Sequence, residues 1–271
     1  MGSSYQSAQG LDARVEGTVL RLTLDNPRRR NALDDVSLGA FVRALEQAAT
    51  DEDLRAILLA GHGPTFCGGF DIVGRNSGDP GLRPRTGSIQ RRLPIQAGRL
   101  LTLLLEVQLP VVCAVRGAAV GIGAQLALAA DFTVAALDAR FWYPFLRRGF
   151  TPDSGSTWLL PRIVGPLRAR QLLMLGRELS GADAQAWGLA HEAVPEAEVA
   201  SAAEALVAEL AAGPTVALGL TKSLLNAAAG HDLRAHLADE AYAMELSSRS
   251  PDFREGLRAF TERRDPEFHG R

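Results

Sequence analysis

The feature that most constrains the fold is a succession of short elements in "PVVCAVRGAAVGIGAQLALAADFTVAA", residues 110–136. "PVVCAV" has the length and apolar content of a buried strand, and a glycine-rich turn follows it. "AQLALAAD" predicts a short and almost wholly apolar helix, and "FTVAA" predicts another strand. Strand, glycine-rich turn, helix and strand in this order indicate a layered α/β core.

Similar elements precede this segment. "TVLRLTL", residues 18–24, alternates apolar and polar residues as a half-buried strand does, and "DNPRRRN" ends it with turn residues. A helix is predicted next, and Asp34 and Asp35 suit its N-terminus. "AILLA", residues 56–60, predicts a further strand. From about residue 166 onward the segments predict mostly helix.

Composition and charge exclude several classes of function. The 29 Lys and Arg against 31 Asp and Glu give a net charge of −2, so no global field would attract nucleic acid or an anionic membrane. No window approaches the roughly 18 uninterrupted apolar residues of a membrane span. The polar start "MGSSYQSAQG" lacks the apolar core of a secretory signal. Cys67 and Cys113 are expected to be free thiols, which favours a cytoplasmic location.

Two glycine-rich segments follow strands, and neither fits a nucleotide-binding motif. In "GIGAQL", Leu126 takes the place of the third glycine of the dinucleotide fingerprint, and "GPTFCGG" lacks the Lys-Ser or Lys-Thr of a phosphate loop. A tight turn explains each segment by itself, since glycine tolerates positive φ. Together they also allow backbone N–H groups near a helix start to converge as an oxyanion hole.

With their flanking residues, these segments resemble the crotonase family of enoyl-CoA hydratases and isomerases. "NPRRRNALD" is similar to its N-terminal signature, "GPTFCGGFDI" to its first oxyanion segment and "LPVVCAVRGAAVGIGAQLALAAD" to its second. "GFTPDSGSTWLLPRIVG", "LSGADAQAWGLAHEAVP" and "FREGLRAFTERRDPEFHG" match later family segments in order. The small, polar N-terminal residues predict a flexible leader at residues 1–15, and the resemblance implies a spiral of ββα units with the acyl-CoA site at 16–200. A helical region at 201–271 would form a homotrimer or a hexamer built as a dimer of trimers.

The resemblance also implies which residues form the site. The two oxyanion donors fall on the backbone N–H groups of Phe70 and Ile122, which would hold the thioester carbonyl of an acyl-CoA as it becomes an enolate. Coenzyme A enters as the thioester part of the substrate, and no permanently bound cofactor is expected. The residues implied to contact the acyl-CoA are Arg28, Ala32, Gly68, Phe70, Asp71, Ile72, Gly121 and Arg263.

Arginine suits the phosphates of coenzyme A because it offers charge and bidentate geometry. Arg28 is expected at the diphosphate, and Arg263 or Arg264 at the adenosine phosphate of a neighbouring subunit, although each arginine is also explained as a surface charge. The Arg-rich residues 75–99 predict either a lid or a soluble loop. The five histidines show no H-E-x-x-H spacing, so no metal is expected. Cys67 is interpreted as a packing residue.

Two positions depart from the hydratases of the family. Gln125 takes the place of their first glutamate and Phe145 that of the second, so the two-glutamate route of hydration is not expected. Asp153 stands in "PDSGSTWLLPR", which resembles the branch that uses a single aspartate and includes the ring-opening epoxide and oxepin isomerases. One carboxylate suffices to move a double bond, because it takes a proton from C2 and returns it to C4.

The string around Asp153 has a second interpretation, since Pro-Asp-x-Gly forms turns and aspartate caps helices. Within the family pattern we interpret Asp153 as the acid/base and Asp71 as a brace of the oxyanion turn. Burial beside Phe145, Trp142 and Trp158 would raise the pKa of Asp153. Three functions stay open: an isomerase acting through Asp153, a hydratase or other crotonase-type enzyme, and an acyl-CoA-binding protein with little activity.

Overall fold

The structure is a computed structural model that describes residues 5–72, 74 and 85–270. Its strands are β1 (Gly10–Glu16), β2 (Val19–Asp25), β3 (Ala56–Gly61), β4 (Val111–Val115), β5 (Ala118–Val120), β6 (Phe132–Ala136), β7 (Arg140–Trp142), β8 (Glu178–Ser180) and β9 (Glu192–Val194). Its α-helices are α1 (Asp35–Ala48), α2 (Ser88–Arg92), α3 (Ala97–Glu106), α4 (Ile122–Ala129), α5 (Ser156–Val164), α6 (Pro166–Met174), α7 (Gly181–Ala186), α8 (Val199–Ala212), α9 (Thr215–Ala227), α10 (Leu233–Ser247) and α11 (Pro251–Glu262). The predicted α/β class is therefore confirmed.

The main sheet has six strands in the order β1-β2-β3-β4-β6-β9. β1 runs antiparallel to β2, and every other neighbouring pair is parallel. Alternate residues of β2, namely Leu20, Leu22 and Leu24, are buried, as its period-2 pattern predicts. β3 and β4 are almost continuously apolar, which is typical of strands inside a parallel sheet.

A second, three-stranded sheet in the order β5-β7-β8 lies beside the start of α4. The chain passes from β4 in the main sheet to β5 in the small sheet and returns through α4 to β6. All eight residues of α4 are buried, which explains why its sequence is apolar on every side. This path brings α4 into contact with β5 of the small sheet and with β4 and β6 of the main sheet.

The predicted flexible leader is wrong for residues 10–15. These residues belong to β1, which pairs with β2 along its whole length and buries Leu11 and Ala13. The reason is that "LDARVE" alternates apolar and polar residues and a two-residue turn joins it directly to β2. Residues 1–4 of the leader lie outside the described part of the chain.

The predicted boundary at residue 200, between the core and the C-terminal helical region, also differs from the structure. α8 packs against β3, β4 and β6, and its side chains Val199, Ala203 and Val207 belong to the main core. The core therefore continues to the end of α8. α9 is held to that core by Lys222, whose Nζ lies 2.7 Å from Asp131 Oδ2 and donates to the carbonyl oxygens of Leu104 at 2.7 Å and Leu109 at 3.2 Å.

The last helices expose much of their apolar surface. α10 buries none of its residues. The large apolar side chains exposed on α10 and α11 include Leu233, Leu237, Tyr242, Met244, Leu246, Leu257 and Phe260. Within the described ranges, no single helix is both long and apolar enough to cross a membrane, although Glu196–Ala212 and Thr215–Gly230, bent by 107°, meet the criterion as a pair.

Candidate active site

The two glycine-rich segments are joined by backbone hydrogen bonds. The N–H of Cys67 donates to the carbonyl oxygen of Ala118 at 3.0 Å, and the N–H of Val120 donates to the carbonyl oxygen of Cys67 at 2.9 Å. Gly123 permits this approach, because a Cβ at its position would lie 2.6 Å from Cys67 Cβ. Segments that are fifty residues apart in sequence therefore meet.

The first segment is fixed around Phe70 by a parallel bridge to Leu33. The N–H of Leu33 donates to the carbonyl oxygen of Gly69, and the N–H of Asp71 donates to that of Leu33, both at 2.8 Å. The carboxylate of Asp71 accepts the N–H of Gly74 at 2.7 Å and forms an ion pair with Arg29. Asp71 thus makes the contacts of a brace within its turn.

The second segment presents Ile122 at the start of α4. Gly121 has φ 53° and ψ −120°, a conformation that favours glycine, and its N–H donates to the carbonyl oxygen of Trp142 at 2.8 Å. Because Ile122 is the first helical residue, its N–H has no acceptor within the helix, and Gly121 offers no side-chain cap. The positive end of the helix dipole lies at the same point.

Phe70 and Ile122 both line a cavity of about 440 Å³. Its polar lining residues are Arg92, Gln96, Arg148, Thr151, Asp153 and Ser154. Its other lining residues are apolar or glycine, namely Leu38, Gly69, Phe70, Ile72, Ile89, Leu93, Ala97, Val120, Gly121, Ile122, Pro144, Phe145 and Phe150. Among the described residues of this lining, Asp153 is the only carboxylate.

Asp153 lies in a turn just before α5, and it does not cap that helix. The N-cap residue is Gly155, which has φ 78° and no side-chain cap. The backbone carbonyl of Asp153 closes the turn by accepting the N–H of Ser156 at 3.2 Å and its Oγ at 3.1 Å. Asp153 therefore forms the turn with its backbone, and its side chain lines the cavity, where Oδ1 accepts the hydroxyl of Ser154 at 3.0 Å.

Burial raises the pKa of Asp153 above the ordinary aspartate value, and hydrogen bonds from Ser154 and Gln125 oppose this rise. Phe145 lines the same cavity and is buried. The two tryptophans that were expected beside Asp153, Trp142 and Trp158, are not among the residues that line the cavity. Trp158 is 46% exposed and stacks on Arg162 at 3.9 Å, and Trp142 turns its indole N–H to the carbonyl oxygen of Gly176 at 3.1 Å.

Gln125 contributes to the site in a way that the sequence analysis missed. Its side chain is fully buried in α4, and its Nε2 donates to the backbone carbonyl oxygen of Asp153 at 2.8 Å. Its Oε1 finds no hydrogen-bond partner among the described residues. The signal in the sequence was one amide within an otherwise apolar helix, since a buried polar side chain requires a partner.

The other predicted site residues fall into two groups. Phe70, Ile72 and Gly121 line the cavity, whereas Ala32 and Gly68 lie in the adjoining turn, where they donate to the carbonyl oxygens of Arg29 at 3.1 Å and Arg30 at 2.7 Å. The arginines Arg28 and Arg263 are exposed and are not among the lining residues. Arg264 is ion-paired with Glu255 at 2.6 Å and Glu262 at 2.7 Å.

The Arg-rich segment is partly helical rather than a structureless loop. Residues 75–84 lie outside the described part of the chain. Ser88–Arg92 form α2 and Leu93–Ile95 form a 3-10 turn, and these elements place Ile89 and Leu93 on the cavity. This segment therefore supplies one wall of the cavity.

Comparison with known proteins agrees with this arrangement. The sequence profile described as enoyl-CoA hydratase/isomerase matches residues 14–271. The chain belongs to the enoyl-CoA hydratase/isomerase family. This assignment confirms the resemblance that the glycine-rich segments indicated. The family acts on acyl-CoA substrates.

Relatives within the enoyl-CoA hydratase/isomerase family carry different activities. The 1,2-epoxyphenylacetyl-CoA isomerase of Escherichia coli (strain K12) is 39% identical over 259 residues, which cover 96% of this chain and 98% of that protein. The 2,3-dehydroadipyl-CoA hydratase of the same strain is 32% identical, with 93% and 96% covered. The crystal structure of an enoyl-CoA hydratase/isomerase from Cupriavidus metallidurans CH34 has a TM-score of 0.88 at 30% identity and covers 98% of each chain.

Proposed function

We propose that this enzyme is an enoyl-CoA isomerase in which Asp153 is the acid/base. The observation that carries the proposal is that Asp153 is the only carboxylate among the described residues lining the cavity. Phe70 and Ile122, whose N–H groups are the proposed oxyanion donors, line the same cavity. Isomerisation needs one base that accepts and returns a proton, so a single carboxylate is sufficient.

The proposed reaction moves a double bond from C3–C4 to C2–C3 of the acyl chain. Asp153 removes a proton from C2, and the electron pair moves toward the thioester oxygen to form a dienolate. The N–H groups of Phe70 and Ile122 stabilise that oxygen, and each such donor contributes about 3 kcal/mol to the transition state. Protonated Asp153 then donates the proton to C4, and the thioester carbonyl forms again.

Hydration is less well supported by the contacts in the cavity. A hydratase must activate water and also deliver a proton, whereas the two positions of the family's glutamates carry Gln125 and Phe145. Gln125 is bound to the backbone of Asp153, and Phe145 is apolar and buried. A second acid/base group would have to come from elsewhere.

The lining supports an apolar or ring-containing acyl group. Phe145 and Phe150 stand edge to face with their ring centroids 5.7 Å apart, and Phe70 adds a third aromatic ring to the lining. The relative from Escherichia coli is named for an epoxide of phenylacetyl-CoA, which is a ring-containing substrate. Coenzyme A is proposed to enter with the substrate, its phosphates meeting Arg28 and a neighbouring subunit's arginine at position 263.

We further propose that the enzyme assembles as a homotrimer or as a dimer of trimers. The exposed apolar side chains of α10 and α11, such as Tyr242 at 77% and Phe260 at 85% exposure, support a surface that a neighbouring subunit covers. Light scattering of the purified protein would measure the assembly.

Cys67 and Cys113 are free and buried, which supports the cytoplasmic location expected for unpaired thiols.

The experiment that tests the proposed function gives the purified enzyme three substrates separately. These are a straight-chain 3-enoyl-CoA, a 2-enoyl-CoA with water as co-substrate, and 1,2-epoxyphenylacetyl-CoA. We expect absorbance of a conjugated enoyl thioester from the first or a ring-expanded isomer from the third. Water addition as the main reaction would instead identify a hydratase. Tight binding without turnover of any substrate would identify an acyl-CoA-binding protein.

A further inference from the structure

Two histidines and an aspartate come together at the start of α10. One nitrogen of His231, one nitrogen of His236 and one oxygen of Asp239 all lie within 4.8 Å of one another. The closest pair is His231 Nδ1 and Asp239 Oδ2, which are 2.9 Å apart. These side chains are in the C-terminal helical region, and none of them is among the residues that line the acyl-CoA cavity.

His236 has a buried ring nitrogen that is not satisfied. Its Nδ1 is inaccessible to solvent and has no hydrogen-bond partner among the described residues. A buried polar atom without a partner is unfavourable, because it loses its hydrogen bonds to water and gains none. A metal ion is one ligand that would satisfy an imidazole nitrogen, since neutral imidazole coordinates through its lone pair.

The other ring nitrogen of His236 has a carboxylate as its neighbour. Its Nε2 lies 3.7 Å from Glu240 Oε1, and Glu240 is four residues further along α10. Histidine ligands commonly direct their second nitrogen to a carboxylate, which fixes the tautomer and orients the ring. The N-cap Asp232, whose carboxylate accepts the N–H of Ala235 at 2.9 Å, fixes the backbone on which these residues stand.

We propose that His231, His236 and Asp239 bind a divalent transition-metal ion of the zinc type. Two imidazoles and one carboxylate are zinc ligands, and a water molecule would complete a tetrahedral site. With ligand bonds of about 2.0–2.2 Å, the donor atoms of such a site are about 3.4 Å apart. The His231–Asp239 pair is already that close, and the donor atom of His236 lies within 4.8 Å of both.

A metal ion bound here would link the segment before α10 to the first two turns of that helix. His231 precedes the N-cap, whereas His236 and Asp239 are one turn apart within α10. The spacing H-x4-H-x2-D differs from H-E-x-x-H, which explains why the histidine spacing alone predicted no metal. A structural role follows from this position, because the site stands apart from the residues that line the cavity.

The test is a calorimetric titration of ZnCl₂ into tag-free, chelator-treated and dialysed full-length enzyme. The variants are His231→Ala, His236→Gln and Asp239→Asn, with Glu240→Gln for the outer partner. The matched controls are His62→Ala and His269→Ala, because both histidines are exposed and lie outside the cluster. The visible absorption of bound Co²⁺ gives a second readout of ligand number, and circular dichroism checks that each variant is folded.

We expect one Zn²⁺ per chain, a tetrahedral Co²⁺ spectrum and a higher melting temperature with metal. Each ligand variant should weaken binding by more than about tenfold, and Glu240→Gln by about tenfold. The control variants should bind as the wild type does. The proposal is overturned if saturable one-to-one binding is absent, or if folded ligand variants bind as tightly as the controls.

Discussion

The side-chain amide of Gln125 donates to the backbone carbonyl oxygen of Asp153 at 2.8 Å. This contact joins the helix that begins at the proposed oxyanion donor Ile122 to the turn that carries the proposed acid/base. Gln125 stands where the hydratases that this chain resembles have a glutamate. This position therefore holds the backbone of the proposed acid/base and does not supply a carboxylate of its own.

Gln125→Met should lower kcat for isomerisation by about 10²-fold while KM changes little. The substitution keeps the side-chain length but removes the donor to the 153 turn, and small displacements of a reacting group cost rates of this size. Steady-state kinetics on the 3-enoyl-CoA measures the effect. Gln108→Met, at an exposed position outside the cavity lining, is the matched control. Equal kcat values for the two variants would show that Gln125 has no positioning role.

Gly121→Ala should reduce kcat by about 10²-fold by distorting the proposed oxyanion hole, since loss of one donor has an effect of this order. A Cβ at this position meets no atom within 4 Å, so the effect would come from the backbone at φ 53°. Gly188→Ala is the control, because Gly188 also has positive φ and open space around it. Both variants should lose a similar 1–3 kcal/mol of stability, about what such a backbone costs. Only Gly121→Ala should lose activity, and an equal loss of activity in both variants would contradict the role of the Gly121 backbone.

Asp153→Asn should raise the melting temperature at neutral pH. Burial raises the pKa of Asp153 in the folded protein above its ordinary value of 3.8. Protonated Asp153 therefore contributes fully to the free energy of unfolding below that pH, and this contribution is lost as the pH rises through the folded pKa and the buried carboxyl ionises. Asparagine carries no charge to desolvate. Calorimetry across the acidic range should show that the difference in melting temperature between the variant and the wild type becomes smaller as the pH falls toward 3.8. A variant that is less stable than wild type at neutral pH would contradict the assigned burial cost.

Lys222→Met should destabilise the fold by roughly 1–3 kcal/mol, because Asp131 loses its charged partner and the carbonyl oxygens of Leu104 and Leu109 lose their donor. Lys222 is the only lysine in a chain with 28 arginines, and its compact ammonium group meets three oxygen atoms around one point. Urea unfolding measures the loss. Lys222→Arg should also be destabilised, since the planar guanidinium does not match these acceptors. The double variant Asp131→Asn with Lys222→Met should recover most of the stability, and no recovery would mean that the pair is not the cause.

The fold was largely predictable because its signals are local. Buried strands, glycine-rich turns and the cap of α1 by Asp34 all appear within a few residues of the element that they define. β1 was missed because its alternation is short and its polar start resembled a leader. The extent of the core was misplaced because α8 has small apolar residues, and only the structure shows that they pack on the sheet.

The lining of the cavity was predictable where backbone motifs define it. Glycines that allow close approach mark Phe70 and Ile122, and a Pro-Asp-x-Gly turn marks Asp153. The cavity wall from α2 was not predictable, because Ile89 and Leu93 approach the site only through tertiary packing. The support from Gln125 was equally hidden, since a hydrogen bond across 28 residues leaves no local pattern.

The most direct test of the central claim is the rate of double-bond migration by Asp153→Asn, compared with wild type on the same 3-enoyl-CoA. Binding of a non-reactive acyl-CoA is measured in parallel to confirm an intact site. The account predicts unchanged binding and a rate lower by about 10²–10⁴-fold, the usual contribution of a general acid/base. A variant that binds normally and isomerises within tenfold of the wild-type rate would contradict it.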